Sequence, residues 1–306
     1  MVEEIPAYVL ADGKAYLHSS KSDVYEGYWG AKTSSVNFCE SDYQHTPYIA
    51  ETWNTLSSVF IVLLPLLGLL YGNPTGEARF KVAYCVLVIV GLGSITLHTT
   101  LLSIGQSMDE LPMLWMCSSI FYCLVDNDRN NKHGNKVGLA VSAFAIAQTL
   151  IYLRIQSLYE VFVTGYLTMV ALIVIWTAKK AWYDTSFFTL RALWLFSVTQ
   201  YIAVGSSVWI LDMYYCEHYQ VYYDMIGGVT WHILWHFAAG IATFTTIQQL
   251  IFLRLVELGH KPVVELKFGC LPIVGKSGKG KNNVASQPII SPTGQRRSKR
   301  IAATRS

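Results

Sequence analysis

The feature that most constrains this chain is a series of seven apolar stretches, most of them about as long as a hydrocarbon layer is thick. They lie near residues 52–72, 80–102, 109–125, 137–153, 158–178, 187–211 and 226–253. A helix needs about 20 predominantly apolar residues to cross a bilayer. Within lipid, backbone N–H and C=O groups must be satisfied inside the segment itself. Composition points the same way, with 52% hydrophobic residues, 14% charged residues and a mean hydropathy of +0.34. These values count against one or two soluble domains. The expected fold is therefore all-α: a polytopic membrane protein built as a seven-transmembrane helix bundle. The third and fourth stretches are short, and their polar ends are expected in the interface. No nucleic-acid partner is expected, and membrane lipids are.

Three regions follow. Residues 1–51 form a polar, acidic head with Asp23, Glu26, Glu40, Asp42 and Glu51; 52–253 form the bundle; 254–306 form a basic tail expected to be disordered. Of 23 Lys and Arg, 11 lie after Leu253, ending in Arg296-Arg297-Ser298-Lys299-Arg300. The connections alternate. The first holds Arg79 and Lys81, the third Arg129, Lys132 and Lys136, the fifth Lys179 and Lys180, whereas the fourth has only Arg154 and the second and sixth have none. That bias places the odd connections and the tail in the cytosol and the head outside it. No basic n-region precedes a short apolar run at the amino end, so no cleaved signal peptide is expected. The tail reads as a segment facing anionic lipid.

The last stretch contains Trp231-His232-Ile233-Leu234-Trp235-His236. Two histidines four apart stack on one helix face, a bidentate metal-ligand spacing. With the expected topology, Ser94 and His98 near the end of the second helix reach a similar depth, and Asp109 and Glu110 open the third on that side. Each has an ordinary role open to it: a hydrogen-bonded core histidine, a helix N-terminal carboxylate, a small packing serine beside Gly91 and Gly93, an interfacial histidine between tryptophans. Taken together, His98, His232 and His236 form a common catalytic zinc set. Zinc makes bound water a nucleophile near neutral pH. Asp109 is then the candidate general base, and Ser94 the hydrogen-bond donor to a developing oxyanion. The chemistry implied is hydrolysis of an amide or ester drawn from the lipid phase.

Six cysteines show no CxxC pair, so a cysteine zinc site is not expected. Cys39 and Cys216 fall on the same, oxidising side, where a disulfide would pin the head over the sixth connection; two unpaired thiols are the alternative. Cys85, Cys117 and Cys123 read as small buried residues, and Cys270 as a reduced cytosolic thiol. Tyr214, Tyr215, Tyr219, Tyr222 and Tyr223 read as an interfacial belt, and Asp212 as structural.

Several motifs together resemble the alkaline ceramidase family of seven-helix intramembrane amidases. They are Gly27-Tyr28-Trp29-Gly30 with Thr33-Ser34, Phe38-Cys39-Glu40, and Tyr48 to Thr55. Gly93-Ser94 with His98, Met108-Asp109-Glu110 with Pro112 and Trp115, and His232 with His236 complete the set. The resemblance covers roughly residues 25–255. It implies zinc on His98, His232 and His236, with Asp109 and Ser94 around the reactive water. The substrate it implies is a ceramide-type lipid taken from the bilayer, hydrolysed to sphingoid base and fatty acid in the endoplasmic reticulum or Golgi. It also implies a Ca²⁺ site on Asn37, Phe38 through its carbonyl, Glu40, Asp42 and Glu51, and the cysteine pair Cys39 and Cys216. Asn37-Phe38 stands where the family usually has Asp-Trp, and Asp42 where it typically has Asn, which implies altered calcium affinity. The alternative from another class is a seven-helix receptor of the progestin and adiponectin receptor type, with a related His₃, Ser and Asp arrangement.

Overall fold

In a computed structural model, which describes residues 27–126, 135–155, 158–184, 187–269 and 271–277, the apolar stretches form long, packed helices. Helix α1 is Thr52–Tyr71, α2 Ala78–Thr100, α3 Ser103–Val125, α4 Asn135–Ile155 and α5 Tyr159–Lys179, the last continued by a π-turn. The next rod is α6 (Phe188–Val198), a π-helical stretch at Thr199–Ser206, and α7 (Ser207–Tyr214). A short helix α8 (Cys216–Met225) precedes α9 (His232–Glu257). Among the described residues, six helices are long and apolar enough to cross a membrane. The chain is an α-helical polytopic membrane protein. Asp23, Glu26, the Arg129–Lys132 connection, Cys270 and the Arg296–Arg300 cluster lie outside the described residues.

Core packing sets how far each helix sits from lipid. Two-thirds of the α9 window is buried, against 6% for α4, so α9 is the central post and α4 an outer wall whose one buried residue is Tyr152. Helices α1 and α2 flank α9, and α3 packs along α2. The last contact depends on glycine. A Cβ on Gly93 would stand 1.8 Å from the Met108 carbonyl oxygen, so only a bare α-carbon lets α3 approach there.

Three boundaries differ from the sequence expectation. Helix α3 begins at Ser103, six residues before Asp109, and has no acidic residue in its first turn. Asp109 and Glu110 are thus inside the helix, and a helix-dipole role for them is removed. The extra turn is polar (Ser103, Gln106, Ser107) but satisfied by the head: Ser103 N donates to Thr33 Oγ1 at 2.8 Å and Ser35 N to Gln106 Oε1 at 2.8 Å. Leu101, at φ 51°, reverses the chain tightly enough for that. Helix α9 begins at His232, because Gly227 and Gly228 adopt φ of 75° and 83° and break any earlier start. The sixth connection is itself partly helical, as α8.

The fourth difference lies in the tail. Residues expected to be disordered form an antiparallel hairpin, β1 (Pro262–Lys267) paired with β2 (Leu271–Lys276). Leu271, Ile273 and Val274 bury themselves against the end of the bundle. Val274 N donates to Gln248 Oε1 at 2.7 Å, and Gln248 Nε2 donates to the Gly72 carbonyl at 3.0 Å. Four consecutive buried residues in a short strand leave no periodic trace, which is why the segment reads as structureless.

Candidate metal and active site

Helices α2 and α9 bring His98, His232 and His236 together, each fully buried, with one ligand atom from each lying within 4.8 Å of the others. Their ring centroids are 4.6–5.2 Å apart. Hydrogen bonds assign two of the tautomers. Glu51 Oε2 lies 2.5 Å from His98 Nδ1, so that nitrogen donates and Nε2 keeps its lone pair. Ser57 Oγ lies 2.7 Å from His236 Nδ1, and donates its own proton to the Asn54 carbonyl at 3.1 Å, so Nδ1 of His236 is also the donor. His98 Nε2 and His232 Nδ1 are buried without a partner. A buried imidazole nitrogen left unpaired is costly in a protein interior, and three converging imidazoles suit a transition-metal ion. The cluster fits a metal.

Two other predicted residues flank it. Ser94, one turn before His98 on α2, hydrogen-bonds the Asp109 carboxylate of α3. Its Oγ also lies 2.9 Å from Ser58 Oγ. Ser94, Asp109, His232 and His236 all open onto a cavity of about 190 Å³, whose other walls are mostly apolar side chains of α2, α3, α5, α9 and the α6–α7 rod. The π-helical stretch contributes Tyr201 and Ser206 to that wall. Tyr201 OH donates to Tyr166 OH at 2.8 Å.

The head closes the other side of the histidines. The Phe38 ring packs on His232 and His98, with centroids 3.8 and 5.1 Å away. Cys39 and Cys216 form a disulfide with Cα atoms 5.4 Å apart, shielded by Tyr223 and Tyr219. Asp212 Oδ2 accepts from Cys39 N at 3.1 Å and Oδ1 from His232 N at 3.2 Å, so one carboxylate ties the head to the start of α9. That is the structural role expected of it.

Glu40 accepts from Trp53 N at 2.7 Å and Asn54 N at 2.8 Å, capping α1. Burial pushes its carboxyl up to about 8, with the Glu51 charge adding to the shift, and pushes Asp42 up to about 7. Asn37 Oδ1 and Asp42 Oδ1 are buried without partners. Oxygen atoms left in that state suit a hard cation. Glu51 links the histidine cluster to the head, since the oxygen that bonds His98 also accepts from Asn54 Nδ2 at 3.2 Å and its other oxygen accepts from Phe38 N at 3.4 Å.

Sequence reasoning missed Ser57, Ser58 and the orienting role of Glu51. The signal was present as Asn54, Ser57 and Ser58, a polar i, i+3, i+4 stripe inside an apolar helix. Of the tyrosine belt, Tyr214, Tyr215 and Tyr222 are exposed and Tyr223 is buried. Cys117 and Cys123 are buried as expected; Cys85 is exposed.

Comparison with known proteins agrees with this geometry. A family model described as Ceramidase matches residues 30–274. Alkaline ceramidase 3 of Mus musculus is 29% identical over 262 residues, covering 81% of this chain and 94% of that protein. The alkaline ceramidase of Arabidopsis thaliana is 29% identical over 254 residues, covering 83% and 96%. That of Drosophila melanogaster is 26% identical over 269 residues, covering 81% and 90%. Such relatives do not favour the receptor alternative. A match spanning the head, the long helices and the hairpin, over a site with three buried histidines, establishes that the chain belongs to the ceramidase family.

Proposed function

We propose that this protein hydrolyses the amide bond of ceramide-type lipids, releasing a sphingoid base and a free fatty acid, with zinc as its metal. The observation that carries the reading is the His98, His232 and His236 cluster beside a Ser94–Asp109 hydrogen bond, at the wall of an apolar cavity. Zinc on the three histidines supplies a Lewis acid and lowers the proton affinity of water at the site.

The remaining work falls to the chain. The apolar walls from α5 and α6 receive hydrocarbon and keep bulk water out, which strengthens every polar contact inside. Asp109 accepts the proton of the attacking water and delivers it to the leaving amine. Ser94, lodged between Ser58 and Asp109, turns its single hydroxyl proton from the Asp109 carboxylate to the amide oxygen as Asp109 takes up the water's proton and negative charge grows on that oxygen. Glu51 and Ser57 fix the rings of His98 and His236. The pattern of cations in the connections supports a head in the lumen of the endoplasmic reticulum or Golgi and a tail in the cytosol. The unpaired oxygens of Asn37 and Asp42, with Glu40, Glu51 and the Phe38 carbonyl, support a regulatory Ca²⁺ site in the head.

The test is turnover of ceramide by purified protein in detergent, with and without a zinc chelator, beside His232→Ala. Loss of turnover in the variant and with the chelator is expected. Undiminished turnover in His232→Ala would remove the site assignment, and an inert wild type would revive a receptor role.

A further inference from the structure

Glu110 follows Asp109 on α3, about 100° further round the helix. It lines the same cavity and is 3% exposed. Its carboxylate is held from two sides: Gln106 Nε2 donates to Oε1 at 2.8 Å and Tyr152 OH to Oε2 at 2.8 Å. The Gln106 amide is itself fixed, because its Oε1 accepts at 2.8 Å from Ser35 N, a group that can only donate. The network thus runs from the head through α3 to Tyr152, the one buried residue of α4.

Both partners donate, so both carboxylate oxygens act as acceptors, and each has capacity for a further bond. A buried carboxylate inside a membrane bundle is costly. Joining Gln106 to Tyr152 requires neither a charge nor a place on the cavity wall. In a cavity walled mostly by apolar side chains, a carboxylate fixed in this way selects an occupant that brings a hydrogen-bond donor. Ceramide-type lipids bring two, because the carbon that bears the amide nitrogen lies between two hydroxyl-bearing carbons. With the amide at Asp109, a hydroxyl one carbon away falls to the neighbouring residue of the same helix.

Resting on the ceramide reading above, we infer that Glu110 is a specificity-determining residue that accepts a hydrogen bond from a sphingoid-base hydroxyl beside the scissile amide, with Gln106 and Tyr152 as its positioning residues. A site built to bond a hydroxyl rejects the analogue that lacks it, because the buried group on the protein is left unpaired. For a charged acceptor the discrimination is about 10–100-fold.

The full chain in detergent is given ceramide, 1-deoxyceramide and 3-O-methylceramide, the two analogues each lacking one of the hydroxyl donors. Wild type should prefer ceramide over at least one analogue by about 10–100-fold in kcat/KM, and that analogue names the hydroxyl. Glu110→Gln keeps the shape and removes the charge. It should lower kcat/KM for ceramide about tenfold or more and for that analogue about threefold or less, so that the preference collapses. Tyr152→Phe releases one carboxylate oxygen and should narrow the preference in the same direction; it decides the matter if Glu110→Gln does not fold. An equal fall on all three substrates, or a wild type indifferent to both hydroxyls, overturns the inference and leaves Glu110 a tie between helices. The same comparison is read without turnover from the Tm shifts given by sphingosine and its 1-deoxy and 3-O-methyl forms. If wild type hydrolyses no ceramide, the reading of function falls by itself. A Tm shift favouring sphingosine over one analogue in wild type and not in Glu110→Gln then still upholds Glu110 as the hydroxyl acceptor of the cavity, and equal shifts overturn it.

Discussion

Gly93 sets the distance between the helix that carries Ser94 and the helix that carries Asp109. Building a Cβ there brings it 1.8 Å from the Met108 carbonyl oxygen, 2.4 Å from its carbonyl carbon and 2.8 Å from Asp109 N. All three atoms are backbone, so no side chain can swing away. To recover even a tight contact, α3 must move off α2 by roughly 1.2 Å. That displacement acts on the residues either side of the clash, which are the two partners of the Ser94–Asp109 bond. A misplacement of about 1 Å among reacting groups costs about 10²-fold in rate, or about 2.7 kcal/mol of barrier. Overpacking adds a stability cost of about 1–3 kcal/mol.

The histidines sit elsewhere. His98 lies more than a turn further along α2, and the other two ligands are on α9, so Gly93→Ala should keep its metal while losing turnover. Gly91→Ala is the matched comparison, because its Cβ meets Val62 N at 2.8 Å and Ile61 C at 3.0 Å on the α1 side. It loads the same helix without prying α3 away. Turnover of a fluorescent ceramide in micelles, metal content by mass spectrometry and Tm should be measured on both. The expected pattern is a fall of about 10²-fold for Gly93→Ala at near-native metal content, with Gly91→Ala far less impaired for a similar loss of Tm. If Gly93→Ala retained more than about a third of wild-type turnover, close approach of α2 and α3 would not be what positions Ser94 against Asp109.

Glu51→Gln removes the charged partner of His98 Nδ1. Zinc affinity in Ca²⁺-free buffer should fall about 10–100-fold by chelator competition, and an unchanged affinity would deny Glu51 its orienting role. The Glu40 and Asp42 carboxyls, raised by burial to about 8 and about 7, hold protons in the folded head that the unfolded chain has already lost. The stability of the ion-free head is thus full below about pH 4 and declines as pH rises towards about 8. Ca²⁺ needs the ionised forms, so its affinity should strengthen over the upper part of that window; calorimetry showing a flat affinity from pH 6 to 9 would contradict this. Cys39→Ser releases the head from α8 and should lower stability by about 2–5 kcal/mol. The matching effect in wild type is a Tm lowered by reductant, and indifference to reductant would mean the bridge does not hold the head. Gln248→Leu strands the Gly72 carbonyl and Val274 N, and should raise protease sensitivity of the hairpin while leaving ceramide turnover within about threefold.

What the sequence revealed and what it hid follow from two kinds of signal. Bilayer-length apolar runs state helices almost directly, because lipid permits so little else. His232 and His236 were legible for the same reason, since an i, i+4 pair of imidazoles has few uses inside such a helix. Linking His98 and Ser94 to them needed only depth, which the cations of the connections supplied. The start of α3 was hidden because its first turn is polar and reads as a loop until the head is folded against it; fully buried Gln106 bonds Ser35 of the head as well as Glu110 of its own helix. The hairpin was hidden because β2 buries consecutive residues and depends on Gln248, 26 residues earlier, for a backbone partner.

Glu51 belongs to both categories and explains why the head and the bundle form one site. Its position at the entry to α1 was visible, and so was its place in an acidic segment. Its double engagement was not. The carboxylate that fixes the ring of His98 is also bonded to Asn54 and Phe38 N, among the oxygens that suit a hard cation. A cation drawn to those oxygens would pull on the same carboxylate that orients His98 in the three-histidine cluster. Coupling between head and active site then needs no long-range path. It runs through one side chain.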